Sequence, residues 1–174
     1  MARTMVEPYS VLNGLSTDGA REALTRCCGS TRWVEAMLTR RPYASSEALY
    51  QAADAVWSSL HQSDYLEAFS HHPQIGADVD TLRQKFRATA RWSSEEQASV
   101  GDADAPTLIA LRDENALYLA RFGFIFIVCA TGKSATEMLQ LLRSRVGHTP
   151  SEELGIAAQE QAKITRLRLQ KLTF

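Results

Sequence analysis

Cysteine is scarce in this chain and badly spaced for structural work: three residues, Cys27, Cys28 and Cys129, with no C-x-x-C pair. An odd count without that spacing excludes a disulfide framework and a zinc knuckle, and it fits a reducing cytosol. Charge of one sign is also missing. The net charge is −1 and the sequence pI about 6.4, with lysine and arginine scattered, so no basic stripe exists to neutralise phosphates and nucleic acid is not an expected partner. Long apolar runs are absent. The longest, residues 122–130, is about half of a membrane span, so no membrane association is expected. The first ten residues carry Arg3, Glu7 and Pro8 and no apolar h-region, which argues against a secretory signal, and Leu172, Thr173 and Phe174 do not form the S-K-L peroxisomal address. Cytoplasm is the default expectation. The four histidines, at 61, 71, 72 and 148, include no pair at helical i, i+4 spacing, so no metal site is predicted.

What is present is ordinary globular material. With 45% apolar and 22% charged residues, 9 Gly and 5 Pro, the composition excludes disorder and low complexity. A chain of 174 residues predicts one domain, residues 1–174, organised by one core. The dominant period is helical. Leu49, Ala52, Val56 and Leu60 share one face, as do Leu108, Leu111, Asn115, Tyr118 and Phe122. Ser134 and Glu137 stand in capping-box spacing before Met138, Leu141, Leu142 and Arg145, and Thr149 and Glu152 repeat the box around Pro150. From that last entrance Ile156, Ile164, Leu167 and Leu172 are expected to reach the core. Further helices are expected over residues 18–28, 30–40 and 64–69. The run from Phe122 to Val128 alternates like a strand but has no partner of comparable strength. The prediction is therefore an all-α, single-domain bundle of about eight helices, with an irregular break around Gly123 to Ile127 whose backbone N–H groups need partners other than helix carbonyls.

Several residues invite a chemical reading beside a structural one. Gly132, Lys133 and Ser134 look like the end of a phosphate loop, but Ile127 stands where that motif needs glycine, and a capped helix start explains them better. His72 precedes Pro73, which disfavours the α region for His72, so the chain must leave the preceding helix there in a defined turn. His71 and His72 point in different directions, and at most one of them enters a pocket. Ser93 and Glu96 have capping-box spacing, and a helix entrance with Gln97 beside it suits a small molecule rich in amides. Arg166 and Arg168 face differently on the last helix, each readable as a solvated side chain.

In their order along the chain these signals resemble the decarboxylases of 2-oxo-4-hydroxy-4-carboxy-5-ureidoimidazoline (OHCU), which complete the conversion of urate to (S)-allantoin. The resemblance is carried by Leu12-Asn13, Cys28-Gly29-Ser30, Trp33-Val34, Arg41-Pro42, His72-Pro73 and Ser93 to Gln97. It continues in Asn115, Tyr118, Phe122 to Ile127, Ala130 to Ser134, Glu137-Met138-Leu139, Ile164 and Arg168-Leu169. The sequence departs from it at His148, where asparagine is expected in many relatives. The resemblance implies a cofactor-free carboxy-lyase acting on a small ureidoimidazoline, and a homodimer. It makes His72 and Glu96 the catalytic pair. Pro73 would shape the histidine turn, Ser93 and Gln97 would bind ureido and ring amides, and Arg168 would meet carboxylate or carbonyl oxygens. The backbone N–H groups of Phe124, Ile125, Phe126 and Ile127 would receive ring oxygens. The competing class is a non-catalytic helical interaction module, in which the same caps and arginines are structural.

Overall fold

Serine side chains start four of the helices in the same way, by accepting a hydrogen bond from the backbone N–H three residues on: Ser16 from Gly19, Ser30 from Trp33, Ser45 from Ala48 and Ser134 from Glu137. The computed structural model describes residues 6–74, 78–90 and 105–172, with side chains left undescribed at 85–90. Among the described residues there are nine α-helices and no strand. They are α1 (Pro8–Gly14), α2 (Thr17–Cys27), α3 (Thr31–Thr39), α4 (Ser46–Ser58), α5 (Gln62–Ser70), α6 (Val79–Ala90), α7 (Ala105–Phe122), α8 (Ala135–Arg145) and α9 (Pro150–Gln170). The all-α expectation holds. Seven of the nine coincide with helices located from the sequence; α1, a seven-residue helix entered through Pro8, and α6, entered at Asp78, are additional to them.

The chain gathers into two compact units, one drawn from Met1–His72 and Ala158–Phe174, the other from Pro73–Ala157. In the first, α3 packs on α2, α4 and α5, and α1 packs on α2 and α4. Leu12, Leu24, Trp33, Met37, Leu49, Phe69 and Leu169 are fully buried there, each contributing about 1.5–3 kcal/mol by leaving water. Buried indole N–H groups need acceptors, and both are met by carbonyls: Trp33 Nε1 donates to Ala53 O at 3.2 Å and Trp57 Nε1 to Ala158 O at 2.9 Å. Two motif fragments prove to be one clasp. The Asn13 amide pairs with both the N–H and the carbonyl of Tyr43 (2.9 and 2.8 Å), while Arg41 donates to the carbonyls of Asn13 and Leu15. The Arg41–Pro42 peptide bond within it is cis.

In the second unit α7 packs on α6 and α8. The predicted stripe of α7 is the buried one, with Leu108, Leu111, Asn115 and Tyr118 inside. Helix α7 stops at Phe122, Gly123 turns with φ 77°, and the chain stays out of helix until Ser134 caps α8. The irregular segment thus begins where expected and runs past Ile127. The capping boxes predicted at Ser134 and Thr149 close: Ser134 N–H donates to Glu137 (2.8 Å), Thr149 N–H to Glu152 (2.8 Å), and each glutamate N–H returns to the cap hydroxyl. The Glu152 carboxyl is held below its usual range by the Thr149 N–H and hydroxyl.

Helix α9 corrects the sequence reading most. Ile156, Ile164, Leu167 and Leu172 are only half-buried; the buried positions are Glu153, Ala157, Ala158, Gln161, Thr165 and Leu169.

Burial pushes the Cys27 thiol up to about 12 and the Cys28 thiol up to about 11, so neither forms appreciable thiolate near neutrality. At pH 8 the folded protein should leave both unmodified by an aromatic disulfide reagent, and denaturant should release them to full reaction. Peptide mass mapping of the modified cysteines measures this.

Candidate active site

The first unit supplies the histidine. Helix α5 ends at Ser70, and the last turn tightens, with His71 N–H donating to Ala68 O (3.2 Å) and His72 N–H to Phe69 O (3.1 Å). This is the defined exit that Pro73 requires at residue 72. Gly29 determines where the turn lies: a Cβ at that position would stand 2.4 Å from His71 Cγ, so only glycine lets the loop between α2 and α3 lie against the His71 ring. A second tie comes from Glu67 of α5, whose carboxylate accepts from the N–H (3.1 Å) and hydroxyl (2.6 Å) of Thr31 at the start of α3. His71 is exposed, and His72 is the half-buried member of the pair.

His72 Nε2 lies 2.5 Å from Gln161 Oε1. Gln161 is fully buried and its Nε2 donates to Thr165 Oγ1 at 3.1 Å. Arg168 follows on the same stripe of α9, seven residues or about 10 Å beyond Gln161, and donates to the Arg26 carbonyl at 3.2 Å. The histidine and Arg168 are therefore tied to one face of one helix. Arg166 is engaged elsewhere, over the Tyr50 ring with its guanidinium facing Asp54 and Glu47 of α4.

The second unit supplies the irregular segment, and a buried ionic cluster holds it. Glu153, with no exposure to water, takes Arg145 Nε at 2.6 Å and the Tyr118 hydroxyl at 2.5 Å on one oxygen, and His148 Nδ1 at 3.0 Å on the other. Arg145 also donates Nη1 to the Ile127 carbonyl at 2.7 Å and stacks over the Phe126 ring at 4.5 Å. The Tyr118 ring meets Phe126 edge-on with centroids 5.3 Å apart. Burial and the bond to Glu153 push the Tyr118 hydroxyl far up, so it serves as a donor. Phe124, Phe126 and Ile127 are buried and Ile125 is half-buried, so the segment is held from its side chains while its backbone stays outside helix. His148, the departure from the family pattern, thus acts on Glu153.

Lys133 donates to Cys129 O at 2.7 Å and Gly132 turns with φ 74°, so this loop is the capped start of α8, as the spacing predicted. Of the expected site residues, His72 and Arg168 fall in the first unit, and Pro73 and Phe124 to Ile127 in the second. Ser93, Glu96 and Gln97 lie outside the described residues. Sequence reasoning missed Gln161, Thr165 and Glu153; the signal available was their i, i+4 recurrence with Ala157 on α9.

A family model described as OHCU decarboxylase matches residues 13–170 of this chain. A uric acid degradation bifunctional protein of Arabidopsis thaliana is 43% identical over 147 residues, covering 84% of this chain, which spans 45% of that longer protein. A 2-oxo-4-hydroxy-4-carboxy-5-ureidoimidazoline decarboxylase of Amia calva is 32% identical over 137 residues, covering 79% of this chain and 77% of the relative. Among solved structures, an OHCU decarboxylase crystallised in the presence of (S)-allantoin superposes with a TM-score of 0.69 at 39% identity, covering 87% of this chain and 96% of that one.

Two substitutions test the supports described. Arg145→Ala leaves the buried Glu153 carboxylate without its guanidinium partner, and should cost about 3–5 kcal/mol in denaturant unfolding. Gly29→Ala should displace the His71 ring and lower the melting temperature, whereas an unchanged melting temperature would mean that the loop shifts freely.

Proposed function

Because the chain belongs to the OHCU decarboxylase family, we propose that it converts 2-oxo-4-hydroxy-4-carboxy-5-ureidoimidazoline to (S)-allantoin, with His72 as its proton-transfer group. The match across residues 13–170 carries this reading and favours it over the helical interaction module. What supports the histidine assignment is its half-buried turn, with a buried amide on Nε2 and Arg168 on the same helix face. We read residues 1–174 as one such domain, since the match runs through both units.

The reaction turns a carboxylate anion and one proton into carbon dioxide and allantoin. The carbon–carbon bond to the carboxylate breaks, its electron pair passes into the ring imine, and the adjacent hydroxyl becomes a carbonyl by losing its proton. In this reading His72, acting with Glu96, takes that proton and returns one to the neighbouring ring carbon from a single face, which makes one enantiomer; solvent supplies the second proton, on nitrogen. A histidine pKa near about 6.5 suits both directions of transfer. The substrate's own imine and carbonyls spread the charge, so the reading is cofactor-free. Backbone N–H groups in the Phe124 to Ile127 segment and the Arg168 guanidinium meet the developing oxyanion, each preorganised donor being worth roughly 3 kcal/mol where water is excluded. Ser93 and Gln97 are assigned the ureido and ring amides, and Pro73 the shape of the turn.

No helix of the described residues is long and apolar enough to cross a membrane. The finer expectations, a homodimer in the cytoplasm, belong to the same proposal and rest on the family resemblance.

The decisive assay generates the imidazoline from urate in place and follows circular dichroism of the product. A catalytic trace of protein should give one optically active allantoin rapidly; racemic product at the blank rate would sink the proposal. His72→Ala and Glu96→Ala should each lower kcat by at least about a hundredfold with the fold retained. Arg168→Lys should lose activity substantially, because an ammonium cannot reproduce a planar fork. Normal turnover there would move the anion contact to another residue.

A further inference from the structure

We propose that Gln161 is a positioning residue for His72: its buried side-chain carbonyl holds the Nε2–H of the imidazole, so that Nδ1 is the nitrogen that exchanges the proton with substrate. The inference rests on the reading of His72 as the proton-transfer group and adds which ring nitrogen acts and what determines it.

An imidazole beside a primary amide can be paired two ways, since the amide end facing the ring is either an acceptor or a donor. The structure decides between them through Thr165. The Thr165 hydroxyl oxygen accepts from Gln161 Nε2 at 3.1 Å. The amide nitrogen therefore faces Thr165 and the amide oxygen faces His72, at 2.5 Å from Nε2. An acceptor at that distance requires the proton on Nε2.

The whole relay is inside the first unit. Gln161 has no exposure and Thr165 only 5%, so water does not compete for the amide. A carbonyl acceptor serves both forms of the ring: it fixes the neutral tautomer, and it still accepts from Nε2–H once the imidazolium forms. A carboxylate in its place would do the same with more charge, whereas an alkyl group would do neither. This explains why a glutamine occupies the buried stripe of α9 where the hydrophobic pattern calls for leucine.

Histidine labelled with ¹⁵N reports the tautomer directly in the unmodified protein. At a pH where His72 is neutral, its ring correlations should show the Nε2–H form, with an Nε2 proton that exchanges slowly. An Nδ1–H ring, assigned by its absence in His72→Ala, would overturn the proposal without any variant of Gln161. Gln161→Leu should lose the slow proton and lower kcat at least tenfold, with KM within about twofold. Gln161→Glu keeps an acceptor, and Thr165 can turn its hydroxyl to it, so this variant should recover most of kcat. Equal activity of Gln161→Leu and the unmodified protein, or equal loss in the leucine and glutamate variants with both folded, would also overturn it. The underlying assignment is judged separately: if His72→Ala turns over normally, the histidine reading fails, whereas an inactive His72→Ala beside a fully active Gln161→Leu sinks the positioning role alone.

Discussion

A carboxylate with no access to water must be met by donors, and in this chain that demand organises the irregular segment that follows α7. Glu153 is met by Arg145, Tyr118 and His148, and Arg145 spends its remaining reach on the Ile127 carbonyl and the Phe126 ring. A run of chain that is neither helix nor sheet has no ladder of its own to hold it. Here a buried cation bonded to its carbonyl and stacked on its aromatic ring does that work, because a solvent-exposed pair would be too weak and too mobile. Irregular backbone can then offer N–H groups to a ligand without collapsing on itself.

The first unit applies the same rule to a different group. Buried Gln161 is satisfied by His72 on one side and Thr165 on the other, and it ties the end of α5 to α9. Gly29 against the His71 ring and Glu67 bonded to the start of α3 restrain the same turn. In both units a polar group is buried with its partners complete, which is the condition under which such groups add rigidity. Helix α9 runs through both, with Glu153 near its beginning and Gln161, Thr165 and Arg168 farther on.

Much of this was legible beforehand. The helix entrances at Ser30, Ser45, Ser134 and Thr149 follow from side-chain hydroxyls placed to accept an N–H three residues on, a local effect that needs no tertiary knowledge. The break after Phe122 follows from Gly123 and from a strand-like run without a partner. Helix α1 escaped notice because seven residues hold too few apolar positions to show a period. Helix α6 carries the cap at Asp78 and the Val79 and Leu82 spacing, a signal that was there to be used.

What the sequence by itself determined is the helical class, most of the boundaries, the exit turn at His72 and the family. These depend on neighbours three or four residues apart, or on residue identities in order. What only the tertiary structure decided is which side of α9 is buried. Periodicity favours Ile156, Ile164 and Leu167, yet Glu153, Gln161 and Thr165 lie inside, since a polar side chain can be buried once its partners are in place. Those partners, Arg145, Tyr118 and His72, are 8, 35 and 89 residues away from the α9 groups they meet. Pairing at such separation leaves no local pattern, so the contact between Gln161 and His72 became visible only in the fold.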